Sequence, residues 1–157
     1  MKKHITAAVL IICCLLSLCS CSSEPTIEKS SSIYDVTRYV LDITNIDFTP
    51  YIVGAEMEVE KDIGYEFAYI KLHLNYKYAA DVTKILKMET NVDDSPTVRI
   101  PSFKNHQYTK ELVAMEFTGH YMYVKTGGSL TEVRKVDIYT GFVGEGNGKE
   151  YYVYLFG

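Results

Sequence analysis

The chain has 157 residues, four cysteines and no tryptophan, and its 20 acidic residues outnumber its 16 lysines and arginines. A formal net charge of −4 argues against nucleic acid as a partner, because phosphates have to be neutralised by Lys and Arg. No run of five basic residues occurs, so a polybasic contact with an anionic membrane is not expected. All four cysteines lie within the first 21 residues. We therefore expect no disulfide in the rest of the chain, and a fold that its hydrophobic core holds together.

The N-terminal segment has the plan of a cleavable export signal: two lysines follow the initiating Met, and Ala7–Leu16 is an uninterrupted apolar run. This run is shorter than the roughly 20 residues that a membrane-spanning helix needs. The next residues, Leu18-Cys19-Ser20-Cys21, resemble the lipobox of bacterial lipoproteins. That resemblance implies that residues 1–20 are a signal peptide and that Cys21 becomes a lipidated N-terminus. We predict an exported protein, anchored by lipid to the cell membrane or the outer membrane.

The segment after Cys21 has the composition of a linker. Residues 22–32 are rich in serine and include Pro25, and Ile27 is their only large apolar residue. Such a segment cannot bury enough surface to offset the entropy of ordering it. We predict that residues 21–32 form the lipidated Cys and a flexible tether, which holds the domain on the order of 15 to 20 Å from the membrane. Residues 33–157 are then one domain.

Residues 33–48 carry two competing patterns. Apolar residues recur at helical spacing from Ile33 to Ile43, and Ser32 with Asp35 could cap a helix. Many of the same side chains are β-branched or aromatic, however, and the run ends in turn chemistry at Thr49-Pro50. We predict one or two strands here and keep a helix as the alternative.

Alternation of apolar and polar residues becomes clear from residue 53. Val53–Val59 is apolar at every second position with glutamates between, and Ala68–Tyr78 repeats the pattern with lysines, a histidine and an asparagine between. These runs predict a long antiparallel hairpin with one apolar side. Glu56, Glu58 and Glu60 share the other face, which we interpret as a solvated face that discourages edge-to-edge aggregation.

The middle of the chain is more ambiguous. We predict a strand from Lys84 to Val92, with a short helix beginning at Asp81 as the alternative. A turn at residues 93–96, a short edge strand at residues 98–100 and a polar loop at residues 102–110 follow.

The last third of the chain contains further strand patterns. Leu112–Phe117 and Tyr121–Lys125 read as two strand pieces split at a glycine, although a helical turn could begin near Thr109. Val133–Phe142 and Glu150–Phe156 flank an Asn-Gly pair, which is the strongest short hairpin signal in the chain. Six to eight strands with turns between them and no convincing long helix indicate an all-β, antiparallel sandwich.

One strand pattern also carries a family resemblance. The form Phe-x-x-Ile-x-Leu-x-Leu-x-Asn is common in the immunoglobulin-like domain of many small bacterial lipoproteins, and it is matched loosely here by Phe67, Ile70, Leu72, Leu74 and Asn75. The chain resembles that domain over roughly residues 39–156, and departs from it in having Gly-Gly at a turn where the family often has Pro-Gly. The resemblance implies an immunoglobulin-like β-sandwich and supplies no catalytic residues.

Few residues suggest chemistry. His73, His106 and His120 lie far from one another in the sequence and from every Cys, so metal-site spacing is missing. Ser129 lacks the Gly-x-Ser-x-Gly elbow of a nucleophile, and the glycines of 141–148 lack the Lys-Ser/Thr pair of a phosphate loop. We predict no catalytic residue, metal or cofactor.

The tyrosines are more informative, since there are 14 of them. Exposed tyrosine is favoured at binding surfaces because it offers a large rigid area and one polar group, although tyrosine also fills strand positions by propensity alone. The candidate surface for a protein or other envelope partner consists of Tyr121, Tyr123, Tyr151, Tyr152 and Tyr154.

The function predicted from these features is that of a membrane-anchored, extracytoplasmic lipoprotein that acts as a non-catalytic binding or accessory module. A small envelope hydrolase or metal-binding protein is one alternative, and an inhibitor or immunity-type lipoprotein is another.

Overall fold

The computed structural model describes residues 25–62, 65–93, 106–125, 133–144 and 148–157. Within these ranges seven strands form one antiparallel sheet in the order β1-β2-β3-β7-β6-β5-β4. The strands are β1 Thr26–Ser30, β2 Ile52–Asp62, β3 Tyr65–Leu74, β4 Asn91–Val92, β5 Phe117–Lys125, β6 Val133–Val143 and β7 Glu150–Phe156. The α-helices are α1 Ile33–Thr44, α2 Ala79–Glu89 and α3 Gln107–Val113.

The predicted antiparallel, β-rich fold is confirmed, but the layers differ from those of a sandwich. All the described strands belong to one hydrogen-bonded sheet, so two packed sheets of the immunoglobulin-like kind are not found in this part of the chain. Helices supply the covering layers instead. The side chains of α1 and α2 join the hydrophobic core on one face of the sheet, and those of α3 join a second cluster on the other.

We call the face under α1 and α2 the core face, and the opposite one the tyrosine face. The core face carries aliphatic side chains that are buried, among them Ala55, Val59, Ala68, Ile70, Leu72, Leu74, Val136, Ile138, Val153 and Leu155. The tyrosine face carries Tyr69, Tyr139, Tyr154 and Phe156, which pack with Tyr108 and Leu112 of α3. The central strands are therefore buried on both sides.

The segment for which we predicted strands, residues 33–48, begins with helix α1, so the alternative was right. The Ser32 hydroxyl accepts a hydrogen bond from the backbone N–H of Asp35 at 3.3 Å, which caps the helix. Val36 and Val40 are fully buried against the sheet. Burial of this apolar stripe outweighs the weak strand preference of its β-branched residues.

Two more predicted strands are also helical. Most of the strand predicted from Lys84 to Val92 is part of α2, as the alternative of a helix near Asp81 had it, and only its end, Asn91–Val92, is a strand. Val82 and Leu86 of α2 are fully buried on the core face at helical spacing. Helix α3 occupies residues 107–113, where we predicted a loop up to residue 110 and a strand from Leu112. The next strand begins only at Phe117. In each case apolar residues that are four apart in the sequence pack against a face of the sheet. Such a long-range contact cannot be recognised from the local alternation of apolar and polar residues.

Both predicted hairpins are confirmed, except that the second strand of the first one ends at Leu74 and Tyr76–Tyr78 form a 3₁₀ turn where the strand was predicted to continue. β2 pairs with β3 from Ile52↔Leu74 to Asp62↔Tyr65, and β6 pairs with β7 from Val143↔Glu150 to Asp137↔Phe156. β5 is continuous through Gly119, where we had expected a break.

Residues 26–30, which we expected to be tether, form edge strand β1 beside β2. Lys29 pairs with Glu58 at 2.8 Å and Lys61 pairs with Glu28 at 2.8 Å. The predicted signal peptide, Cys21, the edge strand at 98–100 and the turn at 126–129 lie outside the described residues. Within the described ranges, no helix is both long and apolar enough to cross a membrane.

A methyl group at Gly141 should loosen the connection between α3 and β5. The added Cβ would lie 2.6 Å from Met115 Sδ and 2.9 Å from the backbone oxygen of Glu116, and the backbone cannot yield as a side chain can. We expect Gly141→Ala to lower the free energy of unfolding by about 1–3 kcal/mol, measured by urea denaturation.

Gly54→Ala is the matched control, because its Cβ would meet nothing nearer than His73 Cβ at 3.6 Å. Its stability should stay at the wild-type value or rise slightly. Equal stability of the two variants would contradict close packing at Gly141.

Candidate functional site

Four of the five predicted surface tyrosines share one side of the sheet. Tyr154 pairs with Tyr139 and with Lys71, and Tyr152 lies two residues before Tyr154 on the same strand. Tyr121 and Tyr123 of β5 pair with Asp137 and Lys135 of β6, which lie two and four residues before Tyr139. Because directly paired residues point to the same face, these four lie on the tyrosine face. Tyr151 points to the core face and belongs to the main hydrophobic core.

The exposure of these tyrosines differs widely. Tyr123 is 63% exposed, whereas Tyr151 and Tyr154 are each 1% exposed. Tyr121 and Tyr152 are partly buried. The predicted surface is therefore reduced to Tyr121, Tyr123 and Tyr152, and the two most buried tyrosines serve packing instead.

An ion pair joins α3 to the centre of the tyrosine face. Lys71 Nζ lies 2.6 Å from Glu111 Oε2, and the Tyr154 hydroxyl donates to the same oxygen at 3.0 Å. The Lys71 ammonium also lies 5.1 Å from the centroid of the Tyr152 ring, within the range of a cation–π contact. Burial and then the Glu111 carboxylate raise the pKa of Tyr154 well above its usual value. This hydroxyl thus remains a protonated donor.

Tyr152 also contacts two further residues, Glu150 and His73. Its hydroxyl donates to Glu150 Oε2 at 2.6 Å, and its ring stacks on His73 with centroids 4.8 Å apart. Burial, followed by the Glu150 hydrogen bond, raises its pKa to about 12. The ring is therefore held by contacts on one side with His73 and Lys71, and its hydroxyl is already hydrogen-bonded to Glu150.

The N-terminal end of α3 rests on the glutamates of β2. The Tyr108 hydroxyl donates to Glu56 Oε2 at 3.0 Å. His106 stacks on Tyr69 with centroids 3.9 Å apart, and its Nε2 lies 3.3 Å from Glu58 Oε2. Partial burial raises the pKa of Glu58, but its hydrogen bonds to the Lys29 ammonium and to His106 outweigh burial and hold this pKa below its usual range. Two of the three glutamates that we interpreted as solvated therefore have specific partners.

A groove opens beside the ion pair, between the segment after α3 and the end of β6. We call it the tyrosine groove; its volume is about 770 Å³. Both apolar and charged side chains line it. Its main lining residues are Lys71, Glu111, Ala114, Met115, Val143 and Tyr152.

Sequence reasoning missed this groove, because it placed Met115 in a strand. No local pattern in the sequence indicates that Met115 packs onto Gly141, which lies 26 residues later in the chain.

The histidines do not converge. His73 and His106 lie on the tyrosine face, each stacked on a different tyrosine, whereas His120 is 2% exposed and its Nδ1 lies 3.1 Å from Thr90 Oγ1. In the described ranges, no three His, Cys, Asp or Glu side chains are placed to hold a metal ion. Ser129 lies outside those ranges.

Comparison of the chain with protein-family models, with curated proteins and with solved structures gives no match. The function is therefore inferred from the site itself.

His120 should make stability depend on pH. Burial, followed by the nearby charge of Lys87, lowers the pKa of His120 from its ordinary 6.5, so folding disfavours the protonated ring. The unfolded chain takes up this proton near pH 6.5, and the free energy of unfolding should fall as the pH drops from about 6.5 towards the lowered pKa of the folded state.

We expect His120→Gln to have a shallower decline, measured by urea denaturation at intervals from about pH 8 to pH 5. The two proteins are compared through their slopes, because the substitution also changes the stability at pH 8. Identical slopes would show that another group causes the acid sensitivity.

Proposed function

We propose that this protein is a lipid-anchored, extracytoplasmic binding or accessory module without catalytic activity, and that its partner occupies the tyrosine groove. The observation that carries this proposal is the pairing inside the groove. Lys71, Glu111 and Tyr154 already satisfy one another's charge and hydrogen bonds, and the Tyr152 hydroxyl is bound to Glu150. Such a wall offers shape and apolar area to a partner more readily than a free nucleophile or a free base.

The apolar part of the groove supports binding as well. Val143 is 42% exposed and Phe142, which also lines the groove, is 44% exposed. A partner that covers them would gain free energy by removing apolar surface from water, at about 25 cal/mol per Å². The charged rim of Glu116 and Lys149 would then contribute orientation more than affinity.

The strand register gives the separation, along the sheet, between the groove and the strand end nearest the proposed anchor. Thr26 pairs with Lys61 of β2. The groove residues Tyr154 and Phe142 lie across the sheet from Glu56 and Ile52 of β2, to which they are connected by successive strand pairs. Five to nine residues of strand separate the two levels, or about 17–30 Å. If lipid is attached to Cys21, five residues before Thr26, the chain between them reaches at most about 18 Å. The groove then lies at the end of the sheet that is farther from the anchor.

An immunoglobulin-like relationship is not needed for this proposal, because the groove is formed by α3 and the β6–β7 end of the sheet. An inhibitor or immunity-type lipoprotein would use the same groove, and the identity of the partner would distinguish it from a general accessory module.

The anchor is tested by replacing the proposed lipidated residue. Cys21→Ala should abolish incorporation of radioactive fatty acid into the full-length chain expressed in its native host, because no thiol remains at the lipobox position. Cys14→Ala, within the apolar run of the same segment, should keep wild-type labelling. Fatty acid retained by Cys21→Ala would overturn the lipoprotein assignment.

The groove is tested by a crosslinked pull-down of tagged full-length protein from detergent-solubilised membranes. Ala114→Arg places a long charged side chain in the groove, and Val113→Arg places the same side chain on the neighbouring residue, which is 65% exposed and does not line it. We expect wild type and Val113→Arg to capture the same partner in near-stoichiometric amounts, and Ala114→Arg to capture at least about tenfold less.

Both substitutions are at exposed positions, so thermal unfolding should confirm that each variant is folded. Equal capture by all three proteins would place the partner elsewhere on the surface. Capture by none of them would overturn the proposed function.

A further inference from the structure

A second groove lies between α2 and the end of β6, and we call it the helix groove. Its volume is about 560 Å³. One side of α2 provides its floor through Ala80 and Thr83, and Met88 and Phe142 provide exposed apolar walls, being 71% and 44% exposed. Phe142 lines both grooves, so they meet at this side chain.

The groove exists because α2 has two different stripes. Val82 and Leu86 point into the core face. Ala80, Thr83 and Lys87 follow one another at spacings of three and four residues and therefore share another side of the helix. Small side chains on this side leave room between the helix and Phe142.

The charge of the helix groove is opposite to that of the whole chain. Lys84 and Lys87 line it, and among the described residues that line it none is acidic, although the chain has a net charge of −4. Residues three apart on a helix have Cβ atoms about 5–6 Å apart. Both ammonium groups can therefore reach one anionic group.

We infer that the helix groove binds an anionic amphiphile, which has a single carboxylate or phosphate head group held by Lys84 and Lys87 and an unbranched apolar chain along Phe142 and Met88. This binding activity is additional to the partner site in the tyrosine groove. An apolar groove of this volume suits a small ligand, and the two lysines select the sign of its charge.

The occupant is a free amphiphile and not the surface of the anchoring membrane. Phe142 lies at the level of Ile52 in the sheet, nine residues along β2 from the level of Thr26. This part of the inference rests on the proposed anchor at Cys21, because the helix groove lies at the end of the sheet that is farther from that anchor.

The test uses the full chain in nanodiscs of neutral phosphatidylcholine, with ¹³C-labelled methionine methyl groups. Of the five methionines, Met88 lines the helix groove and Met115 the tyrosine groove, so one spectrum reports on both. Met88→Leu and Met115→Leu assign the two signals. The probes are octanoate, octyltrimethylammonium and octyl glucoside, which share a chain and differ in head-group charge.

We expect octanoate to shift the Met88 signal in a saturable manner and to leave Met115 unchanged, while the cationic and neutral probes have much weaker effects. Lys84→Glu/Lys87→Glu should weaken octanoate binding by about tenfold or more, because two ion pairs become two repulsions. Lys110→Glu/Lys125→Glu, which changes the net charge equally away from the groove, should keep wild-type binding. Ala80→Leu should block the groove and abolish the shift.

Equal titration of Met88 by all three probes, or unchanged octanoate binding by Lys84→Glu/Lys87→Glu, would overturn the inference. Nanodiscs that contain anionic phosphatidylglycerol test whether an anionic membrane surface, and not a free amphiphile, occupies the helix groove. A Met88 shift in them without octanoate would show that a membrane surface is the occupant. Loss of partner capture by Ala114→Arg with no octanoate binding would refute this inference alone, and the reverse pattern would refute only the partner site.

Discussion

Burial of Tyr108 and Leu112 on the tyrosine face is the contact on which the candidate site depends. Both side chains are at most 1% exposed, and burying a leucine side chain fully contributes about 1.5–3 kcal/mol. The nearby ion pair between Lys71 and Glu111 is partly open to solvent, with side chains 19% and 38% exposed, and such pairs contribute about 1 kcal/mol or less. Apolar burial therefore holds α3 on the sheet, and the ion pair selects its position along the sheet.

The position of α3 in turn fixes the segment that follows it. The helix ends at Val113, and the Ala114 N–H bonds back to the Glu111 carbonyl at 3.1 Å. Met115 then packs against Gly141, where an added Cβ would lie only 2.6 Å from the Met115 Sδ. The tyrosine groove is the space that this packing leaves between the segment and the end of the sheet. Its shape therefore follows from a glycine, a short helix and two buried apolar side chains.

The strands and hairpins could be predicted from the sequence because their information is local. Alternation in Val53–Val59 and the glycine-rich sequence before β7 specify pairing between neighbours in the chain. The helices could not be recognised in this way, since Val36 and Leu86 lie in segments whose residues suit a strand as well. Their helical state follows from burial against a sheet that is complete only in the folded chain. The tyrosine groove is harder still to predict from the sequence, because Met115 and Gly141 lie 26 residues apart in the chain and meet only through the tertiary structure.

Phe142 shows how the two grooves relate to the stability of the fold. Its ring contacts Tyr151 at 4.9 Å and Tyr76 at 5.7 Å between centroids, yet it remains 44% exposed. Leaving this apolar surface in water forgoes stabilisation, at about 25 cal/mol per Å², that a longer α2 side chain in place of Ala80 could supply. The small residues of α2 thus leave the Phe142 ring exposed and the helix groove open, where larger side chains would cover the ring. An occupant of either groove would recover part of that free energy, because Phe142 belongs to both.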